Sequence, residues 1–189
     1  MFGNYQTEIK QYPNNPSYNE LDMFILRFLD DMVKNSTREF TINGVTQKAF
    51  ANCLVSEDFS NINIQDEKNL NGFKYLISLG RDDNDPRNYN GNTLNGVSTI
   101  QQTYQIYASV PTQEGSKTQK KILVKLLDSI IQEVTSSYTY QTTINGNLYT
   151  CPLSQNWTPP QGKVTIKETI NSINYITSVL TILFKITKK

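Results

Sequence analysis

Two Asn-Gly pairs, Asn43-Gly44 and Asn145-Gly146, each sit between short runs of alternating apolar and polar residues, and each unit follows a stretch with apolar residues at helical spacing. Asn-Gly favours the positive φ angles of two-residue hairpin turns, so the chain is committed to antiparallel strands at two points and to a helix ahead of each. Ser17 and Glu20 form an S-x-x-E capping box. Leu21, Phe24, Ile25, Phe28, Leu29 and Met32 follow as one apolar stripe, which predicts a first helix with Asp22, Arg27, Asp30, Asp31 and Lys34 facing away from the core. Phe40 and Ile42 then run into the first turn, and Val45 to Val55 is expected to return antiparallel.

Phe73, Tyr75, Ile77 and Leu79 alternate as a half-buried strand, and Tyr104, Ile106, Ala108 and Val110 give another. Ser116 and Gln119 form a second capping box ahead of Ile122, Leu123, Leu126, Leu127, Ile130 and Val134, a broad apolar face suited to lying on a sheet. Tyr138, Tyr140, Thr142 and Ile144 lead into the second turn, and Leu148 to Leu153 returns. Val164 to Lys167 and Ile173 to Ile186 supply the last strands; Ile170 to Leu183 also admits a partly helical reading, and strand is preferred because Val179, Leu180, Thr181, Ile182 and Ile186 are mostly β-branched. The expected fold class is α+β, an antiparallel or mixed β-sheet with two amphipathic helices packed on it.

The length of 189 residues suits one domain with a real core. Residues 1–16, with Pro13, Asn14, Asn15 and Pro16 together, read as an extended N-terminal arm, and 17–189 as a single α+β domain with a long polar loop at 81–96. The first residues lack the apolar core of a secretory signal, and Ile173 to Ile186 is too often interrupted by polar residues for a membrane helix. Cys53 and Cys151 are far apart without a C-x-x-C pattern and are expected to be buried free thiols; the sequons at Asn35 and Asn156 carry little weight without a secretory route.

The absence of histidine removes the commonest general base and the usual nucleophile pairs and zinc ligand sets, so the expectation is a protein that is not an enzyme. Asp82, Asp83 and Asp85 lie between Arg81 and Arg87, but their spacing does not match a calcium loop; a solvated tip, or pairing with the flanking arginines, is expected instead. Gly115-Ser116-Lys117-Thr118 lacks the spacing of a phosphate loop, and a helix cap explains the same residues. No metal or cofactor is therefore assigned. Lys117, Lys120, Lys121 and Lys125 share one side of the second helix, where they would meet an acidic partner or a nucleic-acid backbone, or form an ordinary solvated face. Residues 1–116 carry nine Lys/Arg against fourteen Asp/Glu, and residues 117–189 nine against three, a polarity suited to head-to-tail association. Tyr138, Tyr140 and Tyr149 suit cross-strand packing better than base stacking.

The order of elements, with an amphipathic helix at Leu21 to Val33, a sheet interrupted by the loop Arg81 to Gly96, the strand Tyr104 to Val110, the helix Lys120 to Val134, a hairpin and a terminal strand, resembles the tail terminator and tail completion proteins of tailed bacteriophages. The resemblance covers most of residues 17–187. It implies a tail-terminator-like ring subunit of the virion at the head–tail neck or tail, made in the host cytoplasm during assembly. Its partners would be itself, other neck, tail and portal proteins, and DNA passing through the channel without sequence-specific binding, with no membrane. Arg81 to Gly96, with Asp82, Asp83, Asp85 and Arg87, would be an interface or lumen loop, and the side of Lys117 to Lys125 a subunit contact or channel lining. Longer loops and the Pro-rich arm leave open whether such a subunit ends the tube or forms another ring. A monomeric partner-binding domain and a nucleic-acid-binding module are the competing readings.

Overall fold

The computed structural model describes residues 20–56, 75–82, 84–91, 94–112, 117–159, 165–170 and 173–189. Among these the chain forms helices α1 (Glu20–Asn35) and α2 (Lys117–Val134) and strands β1 (Glu39–Ile42), β2 (Val45–Lys48), β3 (Cys53–Ser56), β4 (Tyr75–Arg81), β5 (Tyr89–Asn90), β6 (Ser98–Pro111), β7 (Thr139–Ile144), β8 (Asn147–Pro152), β9 (Thr165–Ile170) and β10 (Ile173–Lys188). The protein is α+β. β1 and β2 make a separate two-stranded sheet, and the main sheet runs β3-β4-β6-β10-β8-β7, with β5 added to β6 and β9 to β10. The arm 1–16, Ser17, Phe73, Asp83, Gly115, Ser116 and Val164 lie outside the described residues.

β6 and β10 form the spine of the sheet, paired antiparallel from Tyr175 opposite Pro111 to Lys188 opposite Ser98, a ladder of about 45 Å at the usual strand rise. The far edge of β10 is shared in turn by β9 along Ile173 to Ser178, Trp157 at Leu183, and β8 at Thr187 and Lys188. Both Asn-Gly turns adopt the predicted left-handed backbone, with φ of 50° and 81° at Asn43 and Gly44 and of 49° and 83° at Asn145 and Gly146. The last strand is extended throughout, as its β-branched residues predict.

Alternation along β6 and β10 sends Tyr104, Ile106, Ala108 and Val110, and Ile176, Ile182, Phe184 and Ile186, into one core with the apolar stripes of α1 and α2. Phe184 contacts Tyr104 and Phe28 edge-on, at centroid distances of 5.9 and 6.4 Å, and Phe28 meets Tyr140 at 5.2 Å. Cys53 and Cys151 are buried free thiols, as expected. Burial pushes both up to about 12, against bonds to Cys151 that favour its thiolate.

Four expectations need correction. β2 ends at Lys48 instead of continuing to Val55. A turn with Asn52 at φ 67° redirects the chain into β3, which joins the main sheet parallel to β4. Burial decides this: Cys53 and Val55 enter the core, whereas Val45 on β2 stays 65% exposed. β4 is buried on both faces, not one, with consecutive residues Tyr75 to Leu79 all buried. On the face opposite the helices Leu76, Ser78, Thr103, Ser109 and Thr177 are also buried, and the Ser109 and Thr177 hydroxyls bond each other at 2.8 Å.

Residues 81–96 are not structureless: β5 pairs with β6, and Leu94 bridges Val97. Lastly, Asp22, Arg27 and Asp31 do not face away; all three are buried. At 100° per residue Asp22 and Asp31 fall about 90° either side of the apolar stripe's centre, where a hydroxyl from the sheet can reach them. Tyr104 donates to Asp22 Oδ1 at 2.7 Å, Tyr140 donates to Asp31 Oδ2 at 2.6 Å, and Arg27 donates to the Thr143 carbonyl at 2.7 Å.

Candidate interaction surface

α2 presents two unlike faces. Leu123, Leu126, Leu127, Ile130 and Val134 are buried, whereas Lys117, Lys120, Lys121 and Lys125 are exposed together with Val124. Steps of three and four residues stack the lysines into one stripe along the first half of the helix. The first turn holds no acidic residue and the last no basic one. This is the reverse of what the helix macrodipole favours, so the lysine charges add to the positive N-terminal end instead of offsetting the negative one. Among the described residues, none of the four ammonium groups takes part in an ion pair.

The β1–β2 hairpin lies beside this stripe and is pinned at both ends. Near its turn Asn43 donates to Thr118 Oγ1 at 3.5 Å. At its base Arg38 donates to Gln132 Oε1 at 2.8 Å and to the Gln132 carbonyl at 3.2 Å, and lies 2.8 Å from Glu133 Oε1, which also accepts from Ser36 at 2.6 Å. Between the pins runs an open groove. One hollow of about 390 Å³ is lined by Thr41, Ile42, Asn43, Lys120, Lys121, Val124 and Lys125. A second, of about 510 Å³, shares Thr41 and Lys125 and continues past Arg38, Phe40 and Asp128.

The other predicted cluster resolves differently. Arg81 turns to Asp22, 3.6 Å away. Asp85 and Arg87 bind each other, and the Arg87 guanidinium also sits 5.0 Å from the centre of the Trp157 ring. The Arg87 guanidinium holds the Asp85 carboxyl well below the usual carboxylate range. Asn88 fastens the loop to β6 by accepting from the Thr103 N–H at 2.6 Å and donating to the Asp82 carbonyl. Among the described residues no hydrogen bond or ion pair joins this loop to the α2 lysines, so the predicted site residues form two separate sets, and Asp83 lies outside the description.

Of the three tyrosines, Tyr140 and Tyr149 are core residues while Tyr138, ahead of β7, is 67% exposed. Among the described acidic residues of the first 116, Glu20 pairs with Lys188, Asp22 with Arg81, Asp30 with Lys34 and Asp85 with Arg87. Asn156 of the second sequon is also structural. Its amide donates to the Val134 carbonyl at the end of α2 at 2.8 Å, and its oxygen accepts from the Lys185 N–H at 3.3 Å. Sequence reading missed the β1–β2 hairpin as a wall of the groove, because no local periodicity says which distant element packs beside α2. No helix among the described residues is long and apolar enough to cross a membrane. No protein-family model matches the sequence, and no curated protein aligns with it.

Proposed function

We propose that the chain is a structural subunit of a tailed bacteriophage, closing with copies of itself into a ring at the head–tail interface or on the tail, in the manner of tail terminator and tail completion proteins. The ring joins or caps neighbouring neck, tail or portal rings and leaves a channel for DNA, and its work is geometric, without turnover of a substrate. The observation that carries the reading is the α2 stripe: four exposed lysines placed against the helix dipole, outside any ion pair among the described residues, beside a two-stranded sheet. That placement costs helix stability and supplies a strong positive patch, as a contact surface for a negatively charged neighbour requires. A closed ring of identical subunits needs such a patch and a different receiving patch on each copy. The α+β architecture agrees with that resemblance, and the buried carboxylates of α1 serve to hold tyrosines of the sheet.

Size-exclusion chromatography with light scattering, followed by negative-stain imaging, tests this. Rings of many copies are expected, weakening as salt rises and in the Lys120→Glu/Lys121→Glu variant. A chain that stays monomeric at every concentration refutes the ring. Steeply salt-dependent binding of duplex DNA by that monomer, abolished in the same variant, would assign the stripe to nucleic acid instead.

A further inference from the structure

We infer that the hollow where α1 and α2 end receives the ammonium group of Lys120 or Lys121 from the next copy of the chain. It would be the receiving patch that the ring reading above requires, and the inference rests on that reading. The hollow, of about 300 Å³, is lined by the C-terminal turns of both helices, by Leu153 and by Tyr138 and Tyr140 at the start of β7. It stands at the bottom of the range of small-molecule sites, about 300–1,000 Å³, so it suits one long side chain better than a larger ligand.

The lining selects a cation on an apolar stem. Phe28, Met32, Tyr140 and Leu153 are buried and make an apolar floor, to which Asp31 and Glu133 add two carboxylates. No Lys or Arg among the described residues lines it. A lysine lays its aliphatic stem on apolar surface and keeps its ammonium group in polar company. Both helices also bring their carbonyl ends here, the negative ends of their macrodipoles. The last turn of α2 holds no basic residue, and Lys34 in that of α1 is engaged by Asp30. Two guanidinium groups bear on the carboxylates from outside the lining: Arg38 lies 2.8 Å from Glu133, and Arg27, whose charge Asp31 favours, is held by the Thr143 carbonyl. Ser136 Oγ, enclosed in the same wall, is an acceptor with no hydrogen-bond partner among the described residues. Tyr138, 67% exposed, adds an aromatic ring, whose face attracts an ammonium group. A phosphodiester would meet like charge at every one of these carboxylates.

The lysine must come from another molecule. From Lys121 to Glu133 the helix rises about 18 Å, more than a lysine side chain spans, so a chain cannot fill its own hollow from the stripe. Stripe and hollow thus occupy opposite ends of one helix with opposite charge. Contact between two unlike patches is head-to-tail, and each added copy again presents one free stripe and one free hollow until the rotation closes.

The test mixes two full-length variants, each spoiled at one patch. Lys120→Glu/Lys121→Glu loses the stripe, and Tyr138→Lys puts a cation at the hollow; circular dichroism checks that both are folded, with Thr37→Lys, at an exposed position of the same lining, replacing Tyr138→Lys if that variant is not. Light scattering after size-exclusion chromatography should show self-association of each variant alone weakened at least tenfold. Their equimolar mixture should give heterodimers that grow no further, because the hollow of the first still accepts the stripe of the second. A mixture that stays monomeric overturns the inference. So does a folded hollow variant that forms rings as readily as the parent, and in both cases rings of the parent leave the ring reading standing. A parent chain that stays monomeric sinks both.

Discussion

Replacing Tyr104 by Phe removes one hydroxyl from the centre of the protein and leaves the ring that packs edge-on against Phe184. The hydroxyl donates to Asp22 Oδ1 at 2.7 Å, with Tyr104 fully buried and Asp22 5% exposed, so water has little access to replace it. A hydrogen bond to a charged partner is worth about 1.5–3 kcal/mol, and Tyr104→Phe should lower unfolding stability by that amount. For a chain of this size the matching drop in Tm is about 3–12 °C. Tyr149→Phe is the internal comparison. Its hydroxyl bonds Glu20, whose side chain is 28% exposed and is also held by Lys188 at 2.7 Å. Solvent and the ammonium group take up part of that loss, so about 0.5–1.5 kcal/mol is expected. Urea unfolding followed by far-ultraviolet circular dichroism measures both; the midpoint should fall with the slope unchanged. If Tyr104→Phe lies within about 0.5 kcal/mol of the parent, or Tyr149→Phe costs as much as Tyr104→Phe, the argument that burial sets the worth of these bonds is refuted.

Thiol labelling at pH 8 should leave Cys53 and Cys151 untouched in the folded protein, because burial raises both to about 12 and blocks access, and should modify both on unfolding; rapid labelling of the native state would contradict the core placement. The Lys188 ammonium and then the Tyr149 hydroxyl hold the Glu20 carboxyl below its ordinary value. A carboxyl whose folded value is depressed contributes stability that is complete above the ordinary glutamate range, about pH 4.3, and is lost as pH falls through the folded value. Unfolding titrations between pH 6 and pH 3 should therefore show stability falling at the acid end, less steeply in Glu20→Gln; identical acid slopes for the two proteins would remove Glu20 from the account.

Much of the fold is visible in short stretches of sequence. The stripe from Leu21 to Met32, the face from Leu123 to Val134, the two Asn-Gly turns and the β-branched last strand each express a local preference, and each appears where its periodicity puts it. The lysine stripe was legible for the same reason, since helical spacing alone gathers its residues. The groove was not, because it depends on where β1 comes to lie against α2, which no window of sequence contains.

Period and turn chemistry act over a handful of residues, and so the sequence by itself settles the two helices, the two Asn-Gly hairpin turns and the last strand. Partner choice and depth of burial were settled only by the assembled molecule. β3 leaves its hairpin because Cys53 and Val55 find the core beside β4. Asp22 and Asp31 go inside because hydroxyls 82 and 109 residues further along the chain arrive at the borders of their helix. A charged side chain on a helix flank is solvated by default, and only a bond from a distant strand makes its burial tolerable.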